Sequence, residues 1–249
     1  MNETQGGLPP TSLDPHPLLP ASAPPPPDLM HSLGRLVRGL SAIFWGLPAA
    51  LVICVHTAKA EPLRTFGILP PVATTGLVLF GLWQLGAFQK QERVWRGALD
   101  RARILALINF GLSPFLYWSS RVPYNTFFSV MALLMAATGL LFLGSLNSVL
   151  KRLGAMLPDE ALRLETRQFT AFNLRVLGAI ALLGIAYLGG RQWRQPPIEV
   201  AIFLNVLERT DLGSWGLILM VLVPLAMTMA LIWKTKEVIM ESVFGPKAV

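Results

Sequence analysis

The chain has 249 residues, 53% of them apolar and only 14% charged, against roughly 25% charged for a soluble domain. Its net charge of +7 would suggest nucleic acid in a soluble protein. Here the cations flank apolar stretches, where Lys and Arg set membrane orientation, so nucleic-acid binding is the poorer reading. The single cysteine, Cys54, excludes an intrachain disulfide.

Residues 1–32 read as a disordered, proline-rich tail. Nine prolines fall within residues 1–30, four of them consecutive at 24–27, without apolar periodicity. Such a segment favours extended polyproline conformations and buries too little surface to fold. No short apolar core with a small-residue cleavage site follows, so the first apolar stretch reads as an uncleaved anchor.

Residues 33–249 then carry six apolar stretches, near 39–58, 66–88, 103–120, 124–150, 174–190 and 213–233. Each reaches or approaches the roughly 20 apolar residues that span a bilayer core of about 30 Å. This predicts an all-α polytopic membrane protein with six transmembrane helices. With both termini cytoplasmic, the inner segments hold 15 Lys and Arg and the outer segments 6, the asymmetry expected of a multi-pass protein of the cell membrane. Tyr117, Tyr124, Tyr187, Trp118, Trp193 and Trp215 fall near the outer boundary, and Trp83 and Trp233 near the inner one, as aromatic belts do.

Prolines punctuate the spans: Pro48 in the first, Pro70 and Pro71 opening the second, Pro114 after Ser113 in the third, Pro224 in the sixth. Each removes a backbone donor, and neighbours must re-satisfy the freed carbonyl. The inner segments 89–102 and 151–173 read as helical stalks. Glu92 and Arg96 sit four apart on one face, and Pro158, Asp159 and Glu160 make a helix start, with Arg163 three residues on. The outer segment 191–212 carries an apolar stripe at Val200, Phe203, Leu204 and Leu207, suited to a short interfacial helix.

The fifth span is crowded with small residues, including Gly178, Ala181, Gly184 and Gly189. Small residues let membrane helices approach closely, which places this span at the bundle centre and predicts that Gly184→Leu is destabilising. Ala132 and Ala136 offer a shorter pair for the same purpose. The odd-numbered spans also start alike, at Arg38-Gly39-Leu40, Arg103-Ile104-Leu105 and Arg175-Val176-Leu177, a resemblance that would define three tandem hairpins of the kind transporters use.

Chemistry has few candidates. No Asp, Glu, Lys or Arg lies near the centre of any span, which argues against proton coupling, because functional membrane sites place ionisable groups at depth. The deep polar residues Gln84, Asn109, Ser113, Thr138, Ser145, Asn147 and Asn173 read as interhelical glue. His56 stands alone near the outer surface beside Lys59, Glu61 and Arg64 and cannot by itself ligate haem or zinc. The best enzyme-like set, Arg121, Tyr124, Arg191, Arg194, Glu199, Glu208 and Asp211, is scattered. No catalytic, cofactor-binding or metal-binding residue is assigned. The expected partners are the lipid bilayer and other membrane-protein subunits or further copies of the chain. A non-catalytic accessory or scaffold subunit is the first reading. A transporter or channel-like protein for a neutral or amphipathic solute, binding near Asn109, Pro48 and Pro114, is the alternative.

Overall fold

The computed structural model describes residues 27–59, 66–88, 92–122, 124–156, 160–192 and 211–244. Among them are six helices: α1 (Pro27–Lys59), α2 (Leu69–Leu85), α3 (Arg93–Arg121), α4 (Thr126–Met156), α5 (Glu160–Gln192) and α6 (Asp211–Phe244). Three of these hold segments long and apolar enough to cross a membrane, Met30–Ala58, Thr126–Met156 and Arg163–Gly190. The protein is therefore all-helical and suited to a membrane. Helix α2 is apolar but has 17 residues, which at 1.5 Å per residue reaches about 26 Å.

Local chemistry sets the helix ends. Pro27 occupies the first position of α1, where its missing N–H costs nothing, so residues 27–32 are helical and the tail boundary moves back from 32. Residues 1–26 lie outside the described residues. Gly67, at φ 60°, turns the chain into α2, whose first turn takes Pro70 and Pro71. Asn125 caps α4 by accepting the Phe127 N–H at 3.0 Å. The stalk expected at 89–102 is the start of α3, continuous from Arg93. The stalk expected at 151–173 is divided between α4, which runs to Met156, and α5, which starts at Glu160; Pro158 and Asp159 lie outside the described residues. The stripe expected at 191–212 lies largely outside them too, since only Arg191, Gln192, Asp211 and Leu212 fall in helices.

Neither expected stalk ion pair forms. Glu92 sits just ahead of α3, and Arg163 donates instead to the Ala155 carbonyl at the end of α4, at 3.3 Å. Among the described residues the ion pairs are Arg103–Asp100 and Lys234–Glu165.

Contacts along each hairpin show consecutive helices running antiparallel. Gly39 meets Gly81 and Leu85, and Gly46 meets Val78, between α1 and α2. Gly154 lies against Thr166, and Gly144 against Leu174, between α4 and α5. The alternation brings one end of every helix to a single basic end, which carries Arg35, Arg93, Arg103, Lys151, Arg167 and Lys236. The largest fully buried side chains crowd the half nearest that end: Leu36, Leu40 and Ile43 of α1, Leu82 and Leu85 of α2, Trp95 and Leu99 of α3, and Leu150 and Leu153 of α4.

The small residues that bring backbones together are on α1 and α2. A Cβ on Gly81 would stand 2.6 Å from Ile43 Cγ1 and 2.9 Å from the Gly39 carbonyl; one on Gly39 would stand 2.7 Å from the Gly81 carbonyl. The expectation that α5 is central is overturned. Helix α5 packs at one edge, on α4 and α6, and a Cβ on Gly178, Gly184 or Gly189 would meet nothing within 4 Å. Its inward face is instead polar: Thr166, Thr170 and Asn173 are buried with Leu177, all toward the basic end. Beyond Leu177 much of the helix is exposed, with Leu182 and Ile185 at 70% and 69%.

The three hairpins are also not equivalent in packing. Ile43 is fully buried, whereas Ile108, its counterpart in the resemblance between spans, is 39% exposed.

Gly81→Leu is expected to lower the melting temperature in detergent sharply or abolish folding, since overpacking costs about 1–3 kcal/mol even where side chains can yield. Gly184→Leu is expected to melt with the parent. Equal losses in the two variants would contradict this packing.

Candidate functional site

Several polar groups buried in the bundle join helices. Asn109 of α3 donates through Nδ2 to the Leu105 carbonyl at 2.8 Å, and its Oδ1 lies 3.3 Å from the Thr138 hydroxyl of α4, whose single proton also faces the Leu134 and Met135 carbonyls at 2.9 and 3.1 Å. Nearby, Pro114 cannot pair with the carbonyl four residues back, and the Ser113 hydroxyl donates to that same Phe110 oxygen at 2.8 Å. The proline is thus accommodated within α3.

A larger clamp ties α4, α5 and α6. The Thr228 hydroxyl accepts from Asn147 Nδ2 at 3.1 Å and from Asn173 Nδ2 at 3.0 Å, and donates to the Pro224 carbonyl at 2.7 Å. Asn173 Nδ2 also reaches the Pro224 carbonyl at 3.2 Å. All three side chains are fully buried. One hydroxyl thereby uses its single donor and both acceptor sites. Asn109, Asn147 and Asn173 were legible in the sequence as helix glue; Thr228, the centre of the clamp, was not singled out.

Above this packed region the helices diverge around a cavity of about 460 Å³, a size within the roughly 300–1,000 Å³ of small-molecule sites. Leu51, Cys54 and Val55 of α1 line it with Thr75 of α2, Asn109 of α3, Ala132, Ala136 and Gly139 of α4, Ile180 of α5 and Val221 of α6. The small pair at Ala132 and Ala136 therefore leaves space instead of closing a helix contact. Among the described residues, no Asp, Glu, Lys, Arg or His lines the cavity. Val55 is 44% exposed, and Ala58 and Ala136, also lining residues, are exposed too, so the cavity opens at the bundle surface between α1 and α4. Asn109 supplies the principal polar contact. With one N–H committed to Leu105, its amide retains a second N–H and acceptor capacity on Oδ1. The site can take an apolar body and hold one hydroxyl or carbonyl.

Of the remaining candidates, Arg121, Tyr124 and His56 have described side chains. Arg121 lies over the Tyr117 ring and donates to its hydroxyl at 3.2 Å, while Tyr124 is 97% exposed. Arg194, Glu199 and Glu208 lie outside the described residues, as do Glu61 and Arg64, and the side chains of Arg191, Asp211 and Lys59 are not described. His56 is exposed. Among the described residues no three His, Cys, Asp or Glu side chains come together. Comparison with protein-family models, curated proteins and solved structures finds no match.

Thr228→Val should destabilise the bundle by about 1–3 kcal/mol, the cost of stranding buried polar partners. Thr138→Val should cost closer to the average of about 0.6 kcal/mol for membrane hydrogen bonds. Thermal melts of both variants in one detergent check the order; equal or reversed losses contradict it.

Proposed function

We propose that the chain is a six-span protein of the cell membrane, N-in and C-in, that holds an apolar or amphipathic bilayer molecule in the cavity beside Asn109 without catalysis. The charge asymmetry of 15 Lys and Arg to 6 supports the topology. So do the antiparallel helices and the exposed tryptophans Trp83 and Trp233 toward the basic end. The cavity carries the functional reading. Its described lining is apolar and uncharged, and it is continuous with the bundle surface, which suits a lipid-soluble molecule. The tightly packed half below it, with Leu36, Leu40, Leu82 and Leu150 fully buried, favours holding over passage through the bundle.

A second reading, the accessory or scaffold subunit, is favoured by α5. Its far half presents Gly178, Gly184 and Gly189 with nothing within 4 Å, which leaves a surface open to a close-packing helix of another chain. The two roles are compatible.

Native mass spectrometry of the protein extracted in mild detergent tests the first reading. The parent should carry about one copurifying apolar molecule per chain at this cavity size. Gly139→Leu, whose Cβ would sit 3.7 Å from Asn109 Oδ1 with room beyond, should lose that molecule and melt no lower than the parent. A ligand-free parent, or an unchanged ligand on the variant, would overturn the proposal.

A further inference from the structure

At the basic end, a cleft of about 580 Å³ lies between the end of α2 and the first three turns of α3. Gly86, Arg93, Trp95, Arg96, Asp100 and Arg103 line it. Arg103 is committed to structure. Its Nε donates to the Leu82 carbonyl at 3.3 Å, one terminal nitrogen to the Trp83 carbonyl at 3.4 Å, and the other to Asp100 at 3.3 Å. The guanidinium thereby caps the carbonyl end of α2, where a cation is favoured. It passes so close to Gly86 that a Cβ there would collide with it.

Asp100, the one acid lining the cleft, is thus already paired. Arg93 and Arg96 are exposed and make no ion pair among the described residues. Helix α3 begins here at its N-cap residue Glu92, whose side chain makes no capping hydrogen bond, and its first turn carries no acid, so its first backbone N–H groups are left without a side-chain cap. A further donor belongs to the same lining: Trp95 is 1% exposed, and its buried indole N–H has no acceptor among the described residues. Buried donors are nearly always satisfied, so an unmet one in a cation-lined cleft points to an anionic acceptor.

We propose that this cleft binds the phosphate of an anionic lipid headgroup in the cytoplasmic leaflet, held chiefly by Arg93 and Arg96. The leaflet rests on the topology proposed above. Lipid is favoured over a soluble phosphate because Trp83, Ile104 and Leu107, on the helices that form the cleft, are 64%, 58% and 54% exposed and give acyl chains an apolar wall. Basic pockets between helices on the cytoplasmic side bind such headgroups.

The test titrates the full chain in detergent with phosphatidylglycerol, phosphatidylcholine or inorganic phosphate, with binding read by native mass spectrometry. Phosphatidylglycerol should bind the parent well ahead of the other two. The double variant Arg93→Gln, Arg96→Gln should bind it roughly 30-fold more weakly, about fivefold for each arginine lost. Its lipid-free melting temperature should be unchanged, because both side chains are exposed. If the double variant does not fold, Arg96→Gln alone should show the single fivefold step. Unchanged phosphatidylglycerol binding in the variant overturns the site. Inorganic phosphate binding as tightly as phosphatidylglycerol overturns the lipid assignment. Topology is read separately. A cysteine at Gly97, where a Cβ meets nothing within 4 Å, should react with an impermeant maleimide only from the cytoplasmic side. Reaction from the opposite side overturns the leaflet and the topology, whatever the lipid titration gives.

Discussion

The bundle depends on one close approach, the meeting of α1 and α2 at Gly39 and Gly81. In lipid, apolar side chains gain nothing by leaving the solvent, so helices associate through fit and hydrogen bonds. Two glycines facing each other let the helix backbones come together, and Leu36, Leu40, Ile43, Leu82 and Leu85 close around that contact. Arg103 reinforces the same end by crossing from α3 to the last carbonyls of α2. Farther along, the Asn147–Thr228–Asn173 clamp draws α4, α5 and α6 together. Closure is thus concentrated toward the basic end, and the helices part beyond it. The cavity beside Asn109 follows from where the bundle is closed.

Much of this was legible in the sequence. Six apolar stretches became six helices, and the prolines behaved as backbone chemistry requires, with Ser113 satisfying the carbonyl that Pro114 leaves open. The deep asparagines do join helices. Other features were hidden for physical reasons. Counting small residues favoured α5, but a glycine enables close approach only when a neighbouring backbone is present. At Gly184 there is none, while Gly39 and Gly81 face each other. Ala132 and Ala136 have the spacing of a contact pair and instead border empty space. Thr228 joins residues 55 and 81 positions away, a relation that no local pattern encodes. Glu92 and Arg96 had suitable spacing, but Glu92 is the extended N-cap residue, bonded to Arg96 through its backbone carbonyl, and the two side chains make no ion pair.

The two proposed sites suit the depths at which they lie. Toward the far end, a cavity without charged or histidine lining suits the hydrocarbon region, where ionic groups are costly. At the opposite end, the proposed topology would put Arg93 and Arg96 at headgroup level, where long cationic side chains are readily accommodated. A protein that holds bilayer molecules by their tails at one end and their headgroups at the other needs no titratable group at depth. That division agrees with the sequence, whose spans lack such residues near their centres.

Cys54 allows the cavity to be probed directly, because it is the chain's one cysteine and lies in the lining. A nitroxide attached there, with the protein in nanodiscs, reports collisions with apolar oxygen and with a water-soluble nickel complex. A dry cavity opening to the bilayer predicts strong relaxation by oxygen and little by nickel. Strong relaxation by nickel would reveal a water-filled shaft, and relaxation by neither would reveal a closed core; either result contradicts a cavity that receives molecules from the membrane.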